Sequence, residues 1–320
     1  MAKIFVSTFP FCRFDQEPLR ILKEAGHEIF INPKSRKLSP TEVAELASDC
    51  NGIVAGTEDL LPLVETSEAL RIIARVGVGL DSVPLELCKS KGIKVAYTPD
   101  AVTPAVAELV FGLMLDLLRK ITPADKELRS GGWSRPYGKR LANSTVGIVG
   151  LGRIGFTLAK MLIGFGVRFI LIHDISDVSE KIRDLRKSGG SVSEVSKQEL
   201  LSESDLITLH VPKDPSTVGL ISSPEFERMK SSSYLINTAR GGIVDEKALY
   251  SVLKEGRIAG AAIDVFEEEP YRGPLATLDN VLLTQHMGSC SEDCRADMER
   301  EACEDIVRFF SGQALRSPVS

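Results

Sequence analysis

The 320-residue sequence predicts a doubly wound α/β protein, in which helices cover both faces of parallel sheets. Two observations favour this class. Short apolar runs typical of buried strands alternate with amphipathic segments along the whole chain. One of these runs, 145–149, also leads directly into a glycine-rich turn and a helix-like stretch. Doubly wound sheets commonly bind ligands at such a turn between strand and helix.

The first hundred residues predict a small domain that resembles flavodoxin-like folds. The candidate strands are 3–7, 28–31, 52–55, 71–75 and 93–96. Amphipathic segments between them, such as 19–25, 40–47 and 84–91, predict helices.

A second block predicts a larger sheet that interrupts the first domain. Its six candidate strands are 145–149, 167–172, 205–210, 233–237, 258–263 and 281–284. A long helix is expected over 101–119, and the helical periodicity of 291–310 predicts a last helix that folds back on the first block. We therefore expect a domain of residues 101–288 inserted into one formed by 1–100 and 289–320.

The glycine-rich turn predicts that the inserted domain is a Rossmann dinucleotide-binding domain. Gly150 permits a tight turn after the strand, Gly152 lets the backbone approach a pyrophosphate, and Gly155 lets helix and strand pack closely. The helix that follows offers its N-terminal N–H groups to the phosphates. Asp174, nineteen positions past Gly155, can accept hydrogen bonds from a ribose, and the absence of a basic residue in the next four positions favours NAD over NADP.

Composition excludes several other classes of protein. The net charge of −5, with 39 Lys and Arg against 44 Asp and Glu, argues against a nucleic-acid surface. The six cysteines lack the spacing of a zinc site, so no metal is expected. The most apolar stretch, 106–118, contains Glu108 and Asp116 and is too short to span a bilayer, and the first residues lack a signal peptide. We expect a soluble, cytoplasmic protein.

Three segments after predicted strands carry side chains suited to chemistry. Arg240 precedes two glycines and can bind a carboxylate through its forked guanidinium, although a surface arginine in a salt bridge fits equally well. The acidic run 267–269 before Pro270 is by itself typical of a solvated loop. His286 ends the last strand, where an imidazole can serve as a general acid and base near neutral pH.

Taken in order, seven stretches resemble the NAD-dependent D-isomer-specific 2-hydroxyacid dehydrogenases, most nearly the phosphoglycerate dehydrogenase-like branch. The resemblance covers almost the whole chain and includes the same domain insertion. The matching stretches are 75–81, 106–109, 150–155, 209–212, 237–242, 264–270 and 284–288.

The resemblance implies an active site and a reaction. Hydride passes between the nicotinamide and C2 of a 2-hydroxy or 2-oxo acid, while His286 takes up or gives the proton. Glu269 would contact the imidazole and stabilise its protonated form. Arg240 and the backbone N–H groups of Val78 and Gly79 would bind the substrate carboxylate.

The resemblance also implies a set of contacts with NAD beyond the glycines and Asp174. It places Thr238 and Ala239 near the nicotinamide and Asp264 at its carboxamide. The complete set of further contacts is Arg153, Ile154, His210, Val211, Pro212, Thr217, Thr238, Ala239, Asp264, His286 and Gly288.

The identity of the substrate stays open at this stage. Arg75 matches an arginine that binds phosphate in 3-phosphoglycerate dehydrogenases, but their second arginine falls at Ala55. Glyoxylate or hydroxypyruvate reduction is the alternative. Gln285 stands where the family usually has proline, which relaxes the backbone restriction that proline would impose next to His286.

Two further expectations follow from the same family. Transcriptional corepressors share this fold, so a dinucleotide-sensing binding protein is a rival to the enzyme. The helix 101–119 and the segment around Trp133 form a dimer contact in relatives, which implies a homodimer.

Overall fold

The computed structural model describes residues 1–319, which form two compact units. The split unit comprises Met1–Ala105 and the segment that begins at Ser289, and the central unit comprises Val106–Gly288. The strands are β1 (Lys3–Val6), β2 (Glu28–Ile31), β3 (Gly52–Ala55), β4 (Ile72–Arg75), β5 (Lys94–Tyr97), β6 (Thr145–Val149), β7 (Phe169–His173), β8 (Val192–Glu194), β9 (Leu206–Leu209), β10 (Tyr234–Asn237), β11 (Gly260–Ile263) and β12 (Val281–Leu283).

Helices alternate with these strands, and two short 3-10 turns occur at Leu141–Asn143 and Pro274–Thr277. The helices are α1 (Glu17–Glu24), α2 (Pro40–Leu46), α3 (Leu61–Thr66), α4 (Leu85–Ser90), α5 (Pro99–Arg119), α6 (Ile121–Arg129), α7 (Arg153–Phe165), α8 (Ser179–Lys187), α9 (Lys197–Glu203), α10 (Ser223–Phe226), α11 (Glu246–Lys254) and α12 (Glu292–Phe310).

The split unit is built on a parallel sheet with the strand order β2-β1-β3-β4-β5. Every residue of β3 and β4 is buried, as expected for central strands covered on both faces. The last helix, α12, packs against α1, β3 and β4, so the tail folds back on the first block as predicted. Ser291 caps this helix by accepting a hydrogen bond from the backbone N–H of Cys294.

The outer edge of β5 is covered by the end of the described chain. Pro318 bridges Ala96 in antiparallel fashion, and the Val319 N–H donates to the Val95 carbonyl over 2.9 Å. The Tyr97 N–H donates to Ser317 in the same way. Backbone groups that an edge strand would otherwise leave unpaired are therefore satisfied.

The central unit contains a wholly parallel sheet with the strand order β12-β11-β10-β9-β6-β7-β8. The chain starts in the middle at β6, extends outward through β7 and β8, then returns to β9 and extends in the opposite direction. The order therefore reverses between β6 and β9. In open α/β sheets, ligands bind outside the carboxyl ends of the strands at such a reversal.

Three elements of the central unit differ from the sequence-based expectation. Its sheet has seven strands in the described chain rather than six, because the short edge strand β8 carries one buried apolar residue, Val192, followed by exposed Ser193 and Glu194. Helix α6 was also missed: Ile121, Ala124 and Leu128 follow helical spacing, but the helix has only nine residues and buries none of them. Helix α5 begins at Pro99, two residues before the expected start.

The 21-residue helix α5 is long and apolar enough, by length and composition alone, to cross a membrane. The most apolar stretch, 106–118, is only part of this helix. Buried helices of soluble proteins pass the same test, so this property is weak evidence about a membrane.

Candidate active site

The predicted site residues of the central unit lie after successive strands of one parallel sheet. Because the carboxyl ends of parallel strands share one edge, these residues are gathered along that edge. They follow β6 (Gly150–Gly155), β7 (Asp174), β9 (His210–Pro212), β10 (Thr238–Arg240), β11 (Asp264–Glu269) and β12 (His286–Gly288).

The glycine-rich turn brings three backbone segments unusually close together. Gly150 has a φ of 92°, a left-handed conformation, and a Cβ at this position would lie 2.5 Å from the carbonyl oxygen of His210. At Gly155 a Cβ would lie 2.1 Å from the carbonyl oxygen of Gly150. Strand β6 and helix α7 can therefore pack this closely only with glycine at both positions.

The N-terminus of α7 is open above this turn. Gly152 is its N-cap and is exposed, and a Cβ added there would meet nothing within 4 Å. Arg153 and Ile154 form the first two positions of the 13-residue helix. Their backbone N–H groups belong to the first turn, which has no carbonyl partners within the helix and can bind an anion.

Asp174 is held by backbone N–H groups on both of its oxygens. The Leu151 N–H donates to Oδ2 over 2.6 Å, and the Ser176 N–H donates to Oδ1 over 2.9 Å. The carboxylate thus joins the end of β7 to the glycine-rich turn. An ionised carboxylate has about four acceptor positions, so these two bonds leave it able to bind ribose hydroxyls.

His286 and Glu269, seventeen residues apart, are in direct contact. Nδ1 of the imidazole lies 2.8 Å from Oε2 of the carboxylate, and the other carboxylate oxygen accepts a hydrogen bond from the Phe266 N–H over 3.0 Å. Both side chains remain partly exposed, at 47% and 37%. His286 also has a φ of 50°, which is uncommon outside glycine and is found most often where a surrounding network fixes the backbone.

The network that fixes this backbone centres on Asp264, which is fully buried. Its Oδ1 accepts hydrogen bonds from the Thr284 hydroxyl and the Met287 N–H, over 2.6 and 2.8 Å. Its Oδ2 accepts from the Gly288 N–H over 3.1 Å, while its carbonyl accepts from the His286 N–H over 2.7 Å. Asp264 therefore clamps the segment that carries the candidate acid and base, a role that sequence reasoning did not assign.

Arg240 lies on a turn that the buried side chain of Asn237 organises. The Asn237 amide donates to the Arg240 carbonyl over 3.0 Å and accepts from the Ala239 N–H over 3.1 Å. The Arg240 guanidinium donates to the Ala239 carbonyl over 2.7 Å. Among the described residues, the buried hydroxyl of Thr238 has no hydrogen-bond partner, so it can bond a ligand at the end of β10.

The loop after β9 is closed by Thr217. Its hydroxyl donates to the Pro212 carbonyl over 2.7 Å and accepts from the Asp214 N–H over 2.8 Å. The His210 imidazole lies 3.0 Å from the Thr208 hydroxyl, and burial lowers the pKa of His210 to about 4. This ring is therefore neutral at pH 7 and is no candidate for the proton donor.

Glu246, the first residue of α11, supports the loop that contains the acidic run 267–269. Its carboxylate accepts a hydrogen bond from the Glu267 N–H over 2.6 Å. Burial raises the pKa of Glu246, and the charges of Glu267 and Glu269 raise it further. Like Asn237, this residue was not among the predicted site residues; its partner Glu267 is distant in sequence, so only the folded chain reveals the contact.

In the split unit, Arg75 braces the loop that contains Val78 and Gly79. Its side chain is largely buried, Nε donates to the Gly79 carbonyl over 3.0 Å, and Nη1 donates to the Val76 carbonyl. Val78 and Gly79 themselves are partly exposed. Ala55, the position of the missing second arginine, is buried next to Arg75 in the sheet.

Few other side chains could bind a metal ion or react as nucleophiles. In the described part of the chain, no group of three His, Cys, Asp or Glu side chains could hold a metal ion. All six cysteines are free thiols, and burial raises the pKa of the Cys12 and Cys50 thiols to about 11.

Comparison with known proteins identifies the family. The model of the family described as "D-isomer specific 2-hydroxyacid dehydrogenase, NAD binding domain" matches residues 111–288. The chain belongs to the D-isomer-specific 2-hydroxyacid dehydrogenase family. The match confirms the predicted family and NAD as the cofactor.

Individual members of this family resemble the chain over nearly its whole length. It is 37% identical over 310 residues to the D-3-phosphoglycerate dehydrogenase of Methanocaldococcus jannaschii, covering 95% of this chain but only 57% of that relative. It is also 37% identical over 291 residues to the glyoxylate reductase of Korarchaeum cryptofilum, covering 88% and 85% of the two chains. The crystal structure of the TT0316 protein from Thermus thermophilus matches with a TM-score of 0.88, 30% identity and coverage of 99% and 100%, in agreement with the predicted fold class.

Proposed function

We propose that this family member catalyses reversible hydride transfer between NAD and C2 of a small D-2-hydroxy acid or its 2-oxo form. The observation that carries the proposal is the 2.8 Å contact between His286 Nδ1 and Glu269 Oε2, at the end of a strand in the dinucleotide-binding sheet. An imidazole oriented by a carboxylate is a well-suited proton donor and acceptor.

The residues along the sheet edge fit NAD. The open N-terminus of α7 suits the pyrophosphate, Asp174 suits the ribose, and the unpartnered hydroxyl of Thr238 suits a polar group near the nicotinamide. When bound, NAD supplies the hydride acceptor or donor.

His286 holds and moves the proton at a defined atom. A carboxylate can only accept hydrogen bonds, so the proton at Nδ1 points to Glu269 and Nε2 is left to exchange a proton with the substrate oxygen. The negative charge of Glu269 stabilises the doubly protonated imidazole that forms when a hydroxy acid is oxidised.

Arg240 and the loop after β4 would bind the substrate carboxylate. The guanidinium can donate two parallel hydrogen bonds to it, and the backbone N–H groups of Val78 and Gly79 are also able to donate to a carboxylate. Arg75, which bonds the carbonyls of Val76 and Gly79, would keep this loop in shape. With Ala55 in place of a second arginine, small unphosphorylated acids fit better than 3-phosphoglycerate.

The experiment is to follow NADH absorbance with a panel of substrates. Glyoxylate, hydroxypyruvate and larger 2-oxo acids test reduction, and 3-phosphoglycerate with NAD tests oxidation. We expect turnover with at least one 2-oxo acid and its loss by orders of magnitude in His286→Ala, with NADH binding nearly intact. Near-normal turnover in that variant would show that His286 is not the acid and base.

We also propose a homodimer in the cytoplasm. Large apolar side chains on α6 and the segment after it are exposed in the central unit: Ile121, Leu128, Trp133 and Tyr137. Trp133 is 79% and Tyr137 91% exposed, more than a soluble protein usually leaves uncovered in one region. The free thiols suit a reducing compartment. Sedimentation at micromolar concentration should give twice the 34.8 kDa chain mass, and a monomer would exclude the dimer.

A further inference from the structure

Asp174 has a cationic neighbour that the local sequence does not reveal. Lys181 lies on the exposed side of α8, seven positions past Asp174 and beyond the four positions that lack a basic residue. Its ammonium reaches back to the glycine-rich turn and donates to the Leu151 carbonyl over 2.8 Å.

Lys181 and Asp174 therefore bind the same residue from two sides. The carboxylate accepts from the nitrogen of Leu151 over 2.6 Å, and the ammonium donates to its oxygen. Backbone geometry then limits the distance between ammonium and carboxylate to about 9 Å. This upper limit is close to the screening length of about 8 Å at physiological salt, so both charges act, at reduced strength, on a ligand group placed beside Leu151.

We propose that Lys181 is a second determinant of cofactor selectivity, whose charge favours the 2′-phosphate of NADP while that of Asp174 opposes it. The carboxylate, which would accept hydrogen bonds from the ribose, dominates and makes the chain selective for NAD. Lys181 then determines how tightly NADP binds to the wild-type chain. It also determines how much tighter NADP binds when the Asp174 carboxylate is neutralised. The inference rests on the family's cofactor and not on the proposed substrate.

The acidic groups just before Lys181 do not duplicate its function. Asp177 has an oxygen bonded to the Ser179 N–H over 3.0 Å, and Glu180 carries the same charge sign as Asp174. Lys187, on the same helix, pairs with Asp184 over 3.2 Å and lies nearly two turns further on. It is therefore a matched control for a lysine on α8 that does not bond the turn.

The test is a fluorescence titration of NADH and NADPH in the absence of any substrate, which separates it from the proposed reaction. Asp174→Asn keeps an oxygen to accept from Leu151 but removes the charge, and it should lower the ratio of the NADPH to the NADH dissociation constant at least tenfold. Adding Lys181→Gln to Asp174→Asn should raise this ratio of dissociation constants again by about tenfold. Adding Lys187→Gln instead should change the ratio less than twofold. Lys181→Arg, which keeps the charge, should preserve the gain.

Two results would overturn the proposal. In the first, Asp174→Asn with Lys181→Gln binds NADPH as tightly as Asp174→Asn alone. In the second, Lys181→Gln weakens both cofactors equally, which would mean that the lysine only supports the turn. Thermal unfolding of each variant verifies that it is folded before the titration.

Discussion

Replacing Asp264 with asparagine should both destabilise the central unit and misplace His286. In one orientation the new amide oxygen accepts from Thr284 and Met287, but its NH2 group then faces the Gly288 N–H. In the other orientation the NH2 group faces the Met287 N–H. Either way one backbone donor beside the fully buried Asp264 side chain loses its partner.

The expected magnitude follows from these contacts. A buried unpaired N–H costs about 1–3 kcal/mol, and the loss of a charge-assisted bond adds a similar amount, so we expect about 2–4 kcal/mol of unfolding free energy. A shift of His286 on the order of 1 Å would lower the rate of hydride transfer about 100-fold. Asp279→Asn, an exposed aspartate before β12, is the matched control and should stay within about 0.5 kcal/mol.

Urea unfolding and single-turnover NADH oxidation measure the two effects. Retention of both the wild-type unfolding free energy and the wild-type rate in Asp264→Asn would refute the view that this carboxylate clamps the catalytic segment. A loss of stability with an unchanged rate would confine its role to folding.

Three other variants probe the site. Glu269→Gln should slow turnover at least tenfold in steady-state assays, since it loses the charge facing His286, while exposed Glu268→Gln should not; equal effects of the two would contradict the pairing. Arg240→Ala should raise KM and lower kcat, and unchanged values of both would exclude it as the carboxylate ligand. Because the pKa of His210 falls from 6.5 to about 4 on folding, the unfolded chain takes up a proton between these values. The unfolding free energy should therefore drop by up to about 3 kcal/mol as the pH falls from 6.5 to 4. Urea midpoints at several pH values should show a smaller drop in His210→Gln, and an identical drop in both proteins would contradict this origin.

The sequence was sufficient to predict features that local patterns encode. The alternation of apolar and amphipathic runs predicted most strands within one or two residues, and the spacing from Gly150 to Asp174 predicted the cofactor. The shortest elements with little burial were not predicted in this way: β8 has three residues with one buried, and α6 has nine residues with none buried.

The internal support of the site was likewise beyond local reasoning. Glu269 and His286 were expected to touch only through a resemblance, and their contact is present. The clamp by Asp264 depends on partners more than twenty residues away along the chain. A buried aspartate between two apolar strands gives no local sign of which donors will surround it.

The antiparallel pairing of Pro318 and Val319 with β5 has a practical consequence for handling the protein. A truncation after Gly312 would remove the cover from that sheet margin and leave a template for pairing with other molecules. Such a shortened chain should aggregate on storage even though it keeps every residue of the proposed active site. Purification handles are accordingly better placed at Met1, which is fully solvent-accessible.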